Sequence, residues 1–347
     1  MSQYTISQLR EGDKRTLSQV ERLLNDEGIS RDKNLDYTCV MYDEDYQVIA
    51  TGSCFKNTLR CFAVRSDHQG EGLLNEIISF LLEVQFERGN THLFLYTKVK
   101  SAPFFRDLGF YEIARVDETM VFMENRKNGF AEYLKKLARK KTDGKNAAIV
   151  MNANPFTLGH QHLVECAAEE YDFVHLFVLS EDASLVPFSV RKMLVEKGTS
   201  HLPNVICHES GPYMISSATF PSYFLKDEDA VIKAHARLDI EVFSKIAEIL
   251  SIECRYVGEE PFSRVTSLYN EIMCNHLPMK GISCNIIPRK SMNSVPISAS
   301  TVRRVIQEGD WELLGKLVPE STYEFFRSPE GMRVAEKIKK ADNVIHY

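Results

Sequence analysis

The sequence predicts two α/β domains in tandem, the first built on a mixed, largely open sheet and the second on a parallel one. Three observations lead there. A chain of 347 residues is long enough for about two domains. Residues 126–145 are rich in Lys and Arg and end in "TDGK", which breaks the apolar patterning on either side. Beyond that break, short continuous apolar runs alternate with segments of helical spacing, the pattern of a parallel sheet with helical crossovers. We therefore expect a domain over 1–125, a linker over 126–145 and a second domain over 146–347.

In the first domain, "YTCVMYDEDYQVIATGSCF" reads as two strands around a turn at Asp43-Glu44-Asp45. "LRCFAVRSD" is a further strand. "GEGLLNEIISFLLEVQFERG" has helical spacing and a stop at Gly89. "THLFLYTK" is then a strand and "APFFRDLGF" a short helix. Within the linker, "GFAEYLKKLARKK" has helical spacing. The second domain opens with the strand "NAAIVM", which runs into the loop "NANPF". After it come the helix "LGHQHLVECAAEEY", the buried strand "FVHLFVLS" and the helix "FSVRKMLVEKG", given a Ser cap and a Gly stop. "NVICHES", "RYVGEE" and "SCNIIPR" are later strands, and "EVFSKIAEIL" is a helix.

Composition narrows the function classes. The formal net charge is -6, with 44% hydrophobic and 26% charged residues, ordinary for a globular protein and unsuited to nucleic acid. No apolar run reaches membrane-span length, and the polar start "MSQYTISQLREGDKRT" lacks a signal-peptide core. Eight scattered cysteines form no CxxC pair, so neither a zinc site nor a disulfide framework is indicated. A cytoplasmic protein without membrane or nucleic-acid partners is the expectation.

The chemistry concentrates at "NANPFTLGH". A strand ends, the chain turns, and a helix begins near Leu158 or Gly159. Free N–H groups and the positive end of a helix dipole at the carboxyl end of a parallel strand suit a phosphate. Gly159 allows close backbone approach, His160 can donate to a phosphate oxygen, and Thr157 places a hydroxyl at the same turn. Asn152 and Asn154 flank it. Downstream, "ISASTVRRV" opens another helix, where Ser298 and Ser300 can bond phosphate and Arg303 can neutralise it with a planar fork. Between them "RYVGEEPFS" ends a strand at Gly258. Glu259 and Glu260 are either ribose or Mg²⁺ groups or solvated loop carboxylates. Arg191 points either to substrate or to solvent, and His162 is expected to be structural.

The two elements resemble the TxGH/HxGH and ISSTxxR signatures of the nucleotidyltransferase superfamily, whose fold the HIGH-type aminoacyl-tRNA synthetases share. Thr157 stands for the first histidine, and Val150-Met151 stands where a glycine pair often precedes the motif. "DASLVPFSVRKMLVEKG", "SGPYMISSATFPSYFLK", "ARLDIEVF" and "YVGEEPFSRVTSLYN" are similar to the citrate lyase ligase family. "VRSDHQGEGLLNEIISFLL" followed by "APFFRDLGFYEI" resembles the GNAT acetyltransferases, whose Q/R-x-x-G-x-G/A turn cradles a pyrophosphate. Here the run is Gln69-Gly70-Glu71-Gly72-Leu73-Leu74, with Gln69 and Gly72 at the specified positions and Leu74 at the final small one.

These resemblances imply a GNAT-like N-terminal domain joined to a HIGH-superfamily, Rossmann-like nucleotidyltransferase domain with a parallel sheet. They imply a ligase that uses ATP, with its Mg²⁺, and acetate to acetylate the prosthetic thiol of the citrate lyase acyl carrier subunit, releasing AMP and pyrophosphate. His160, Thr157 and Arg303 are then catalytic, and Asn152, Asn154, Gly159, Gly258, Ser298 and Ser300 bind the nucleotide. Lys226 in "SGPYMISSATFPSYFLK" is a candidate contact to carboxylate or phosphate, whereas Phe220, Tyr223 and Phe224 read as core. Three other readings compete. One is a small-molecule adenylyltransferase of coenzyme A or NAD synthesis type. The second is an N-acetyltransferase with an ATP-sensing domain, and the third a nucleotide-gated binding partner.

Overall fold

The computed structural model describes residues 4–181, 184–214, 220, 228–260, 263–293 and 295–341. The chain divides into two compact units, 1–129 with 220–238, and 130–219 with 239–347.

The first unit carries strands β1 (Thr5–Gln8), β2 (Tyr37–Tyr42), β3 (Val48–Phe55), β4 (Thr58–Val64), β5 (Phe94–Thr97), β6 (Tyr111–Val116) and β7 (Met120–Glu124). Its helices are α1 (Lys14–Asp26), α2 (Leu73–Glu87) and α3 (Ala102–Asp107). The sheet order is β1-β2-β3-β4-β5-β7-β6. Every pairing is antiparallel except β4 with β5, which run parallel and share only the pairs Thr58↔Phe94 and Leu59↔Leu95. Past that short ladder the two strands part, and a cleft opens between them. Apolar residues cover both faces of the sheet. Val20, Leu23 and Leu24 of α1 pack with Val40, Val48 and Ala63 on one face. Leu73, Ile77, Ile78 and Leu81 of α2 pack with Met41, Ile49 and Leu95 on the other. Arg60 and Asp32 form a buried ion pair at 2.8 Å.

The second unit holds α4 (Gly129–Ala138), β8 (Asn146–Met151), α5 (Leu158–Glu170), β9 (Phe173–Val178), α6 (Phe188–Gly198), β10 (Val205–Glu209) and the greater part of α7 (Glu228–Leu250). There follow β11 (Ile252–Gly258), α8 (Arg264–His276), β12 (Ser283–Ile287), the two-residue strands β13 (Ser291–Met292) and β14 (Val295–Pro296), and α9 (Ala299–Glu308). Three helices close the chain, α10 (Trp311–Leu317), α11 (Glu320–Arg327) and α12 (Pro329–Lys339).

The main sheet is wholly parallel, in the order β10-β9-β8-β11-β12. Successive strands step outward from β8 to β10, and the chain then returns to place β11 on the other side of β8. The carboxyl ends of β8 and β11 are thus a topological switch point, where open parallel sheets bind ligands. Ile149, Leu176 and Tyr256 of the sheet form one core with Phe156, Val164, Leu194, Val302 and Phe326. The helix α6 lacks the expected Ser cap, because its N-cap is Pro187 and Ser189 lies inside the helix. Its expected stop, Gly198, serves packing instead, since a Cβ there would meet the Phe156 ring at 2.4 Å.

Candidate functional site

At the carboxyl end of β8 the chain makes its turn through Ala153, at φ 50°, and a cis Asn154-Pro155 bond before α5 begins. Thr157 is the N-cap of α5. Its hydroxyl accepts from the His160 N–H at 3.3 Å, and its own N–H donates to His160 Nδ1 at 3.1 Å. Thr157 Oγ1 also lies 2.9 Å from Nδ1. This reciprocal capping satisfies orphan donors of the first turn. It also fixes the imidazole. A nitrogen that accepts a backbone N–H carries no proton, so the proton of the neutral ring sits on Nε2. Burial, then Arg289 and Arg303, hold the His160 pKa down to about 4. The ring is therefore a neutral Nε2–H donor at physiological pH, stacked on the buried Phe156 at 5.8 Å between centroids.

The remaining expected residues divide between binding and support. Thr157 is 1% exposed, and its hydroxyl caps α5 and lies against His160 Nδ1, so in this structure it positions His160. At Gly159 a Cβ would meet the Ile297 carbonyl at 2.7 Å. The close approach expected there is made by the strand–helix segment before α9. Ser298 is the N-cap of α9, accepting from the Thr301 N–H at 3.0 Å, with Ser300 Oγ 2.8 Å away. Arg303, one turn in, is buried and donates to the Asn154 carbonyl at 2.6 Å. Desolvation lowers its pKa to about 10, which leaves it charged at neutral pH. Two segments 149 residues apart in sequence thus meet at one turn.

Asn154 is 2% exposed. Its Oδ1 accepts from the Val186 N–H at 3.0 Å, while among the described residues its Nδ2 finds no partner. A buried amide donor without a partner costs about 1–3 kcal/mol, so a ligand acceptor at this atom would offset a standing penalty. Asn152 is tied through its side chain to Ser184 at 3.0 Å. Gly258 ends β11 with open space where a Cβ would stand, and its carbonyl accepts from Asn270.

Three residues differ from expectation. Arg191 faces neither substrate nor solvent. It is fully buried, and its guanidinium donates to the carbonyls of Val186, Asn152, Leu179 and Glu181 at 2.7–3.0 Å, binding the ends of β8 and β9 together. Its place at i to Leu194 (i+3) and Val195 (i+4), on a buried stripe, was the available signal. Glu260 is not a solvated carboxylate, for it pairs with Arg289, whose Nε also donates to the Glu259 carbonyl at 2.6 Å. Arg289 was missed altogether. His162 contacts Cys166 at 3.6 Å, one helical turn along α5. Lys226, Tyr223 and Phe224 lie outside the described residues. Phe220 is 4% exposed and packs on Tyr96 and His235 in the first unit.

The cleft of the first unit encloses about 670 Å³ and is lined by Phe62, Val64, Gly70, Gly72, Lys98 and Lys100, among others. Gly70 and Gly72 adopt φ of 92° and 81°, and no atom within 4 Å would oppose a Cβ at either. Gly72 caps α2 without a side-chain bond, so the first N–H groups of a 15-residue helix face this open turn. Leu74, also in the lining, is partly buried.

Comparison with known proteins gives these sites a class. Residues 146–326 match the family described as citrate lyase ligase C-terminal domain, and residues 4–110 match the acetyltransferase (GNAT) family. The protein is thus a two-domain α/β enzyme that joins a GNAT domain to a parallel-sheet ligase domain. The citrate (pro-3S)-lyase ligase of Klebsiella pneumoniae is 36% identical over 90% of this chain and 93% of that protein. Those of Escherichia coli K12 and Haemophilus influenzae are each 34% identical, over 93% and 91% of this chain and 93% and 96% of theirs. The chain belongs to the citrate lyase ligase family. No described helix is long and apolar enough to cross a membrane.

Proposed function

We propose that this chain acetylates the prosthetic thiol of the citrate lyase acyl carrier subunit, using ATP and acetate by way of acetyl adenylate and releasing AMP and pyrophosphate. The observation that carries the nucleotide half is the meeting of Arg303 and the Asn154 Nδ2, which has no partner among the described residues, at the turn that opens into the His160 helix. In the first step an acetate oxygen attacks the α-phosphorus and the α–β bridging P–O bond breaks, its electron pair leaving on pyrophosphate. Charge builds on the departing oxygens. His160 supplies an Nε2–H donor and Arg303 a fixed cation, both preorganised by the fold before substrate arrives. Asn154, Gly159, Ser298 and Ser300 border the phosphates, and Asn152 and Gly258 border the nucleoside side of the switch point. Mg²⁺ arrives with ATP and neutralises phosphate charge.

In the second step the carrier thiolate attacks the acetyl carbonyl and AMP departs with the acyl C–O electron pair. We assign the arm that bears this thiol to the cleft of the first unit, where the α2 turn, Lys98 and Lys100 suit the phosphates of a coenzyme-A-like group.

The deciding measurement is acetate-dependent exchange of labelled pyrophosphate into ATP. Wild-type protein is expected to exchange. His160→Ala is expected to lose about 100- to 1,000-fold, the range for removal of one preorganised donor. Exchange that ignores acetate, or absence of exchange in folded protein with the carrier present, would instead favour an adenylyltransferase.

A further inference from the structure

The nucleotide site holds a second arginine that neither signature contains. Arg289 lies two residues past β12, beside the switch point. Its backbone neighbourhood is pinned from two sides. The Glu259 N–H donates to the Ile287 carbonyl at 2.9 Å, which ties the end of β11 to the end of β12. The Ile297 N–H donates to the Lys290 carbonyl at 2.9 Å, closing the small β13–β14 hairpin. Ile297 in turn sets its carbonyl against Gly159. The residue after Arg289 is therefore fastened to the segment that abuts the start of the His160 helix.

The guanidinium itself is held in a defined orientation. Nε donates to the Glu259 carbonyl at 2.6 Å, and Nη2 meets the Glu260 carboxylate. The Arg289 side chain is 23% exposed and Glu260 is 13% exposed, so the pair sits at a surface that solvent and solutes still reach. Its charge is felt at His160 ahead of that of Arg303. Two guanidinium groups thus bear on His160, Arg303 bonded to the Asn154 carbonyl and Arg289 held at the ends of β11 and β12. An arginine already aligned by a backbone carbonyl loses little rotamer freedom when it takes a phosphate oxygen.

We propose that Arg289 binds the β- and γ-phosphates of the nucleotide and the pyrophosphate they become, exchanging the Glu260 carboxylate for phosphate oxygens. This rests on the ligase reading above. When the α–β bridging bond breaks, the electron pair stays on pyrophosphate. A cation that follows those oxygens stabilises the departing group, while Arg303 remains on the Asn154 carbonyl.

The test separates phosphate groups by position. Pyrophosphate and AMP affinities are measured by calorimetry with Mg²⁺ for wild type, Arg289→Gln and Arg289→Lys, alongside acetate-dependent exchange. Arg289→Gln is expected to weaken pyrophosphate by about 10- to 100-fold, with AMP within about 3-fold of wild type, because AMP lacks the β- and γ-phosphates. Arg289→Lys should recover part of the loss as a point charge without the fork. An unchanged pyrophosphate affinity in Arg289→Gln overturns the proposal. So does an equal loss for AMP and pyrophosphate, which marks a structural role. Should the wild type bind pyrophosphate through Arg289 yet show no acetate-dependent exchange, the assignment of Arg289 stands and the ligase reading falls.

Discussion

Replacing Thr157 by alanine removes two things that reside in one side chain. The first is the N-cap of α5, worth about 0.5–2 kcal/mol of stability. The second is part of the hold on His160, because the hydroxyl lies 2.9 Å from Nδ1. The residue 157 N–H still donates to Nδ1 in the variant, so the ring keeps its Nε2 proton but loses the hydroxyl's share in holding its orientation. Thr157→Ala is therefore expected to lower kcat of the pyrophosphate exchange by about 10-fold or more, with KM for acetate little changed, while Thr157→Ser restores both. A variant that loses melting temperature but keeps kcat would reduce Thr157 to a cap. The same geometry fixes a pH dependence. An ordinary imidazole titrates near pH 6.5, whereas His160 is neutral down to about pH 4. The exchange rate should thus show no inflection from His160 between pH 8 and pH 5.5. An inflection near 6.5 that disappears in His160→Asn would mean the ring protonates in the working range.

Among the elements, β9 and β10 carry a buried pair that couples stability to pH. His175 Nδ1 and His208 Nε2 lie 2.9 Å apart, both buried. Burial, and secondarily Lys140, lowers the His175 pKa to about 4; burial, then His175 and Lys140, lowers that of His208 to about 3. Unfolded, both titrate near 6.5, so between about pH 6.5 and 4 the unfolded chain binds more protons than the folded one. The stability this pair contributes is complete above pH 6.5 and is lost as pH falls toward 4. The urea midpoint should fall between pH 7.5 and 5, and His175→Leu with His208→Phe should flatten that fall. At the head of α6, Arg191 gathers four carbonyls from two strand ends and a loop. Arg191→Lys cannot reach them all. It should cost about 2–4 kcal/mol and raise KM for ATP by loosening the Asn152 turn; unchanged stability would break the clamp argument.

These elements also show why the sequence was legible in some places and not in others. The helix start at Leu158 could be read because its cap is local, with Thr157 three residues ahead of His160. The parallel direction of the sheet around β8 followed from alternation, whereas its strand order is set by tertiary packing. Arg289 could not be read, since what marks it is the approach of the β11 and β12 ends, a tertiary event. Arg191 was half legible. Its stripe with Leu194 and Val195 carries the signal of an inward face, although the expectation was of substrate or solvent, and its carbonyl partners come from segments that sequence does not align.

Across the whole molecule the proposed reaction divides between the two units. The proposed nucleotide turn, with His160, Arg303 and Arg289, belongs wholly to the second, and the cleft between β4 and β5 wholly to the first. If the first unit takes the carrier's arm, damage to its cleft must separate the two half-reactions. Lys98→Glu with Lys100→Glu reverses two charges in the lining and disturbs neither a positive-φ backbone nor an apolar core. Acetyl adenylate formation, read as pyrophosphate exchange, should persist in this variant. Transfer to the carrier, read as the appearance of acetyl thioester, should show a KM for carrier raised about 10-fold or more. Charges that face solvent are screened within about 10 Å at 0.1 M salt, so the wild-type KM should climb with ionic strength and the variant should be nearly indifferent to it. Loss of exchange and transfer together would mean that the first unit supports the second rather than the carrier. Retention of both would leave the cleft without this role and return the search for the carrier's seat to the second unit.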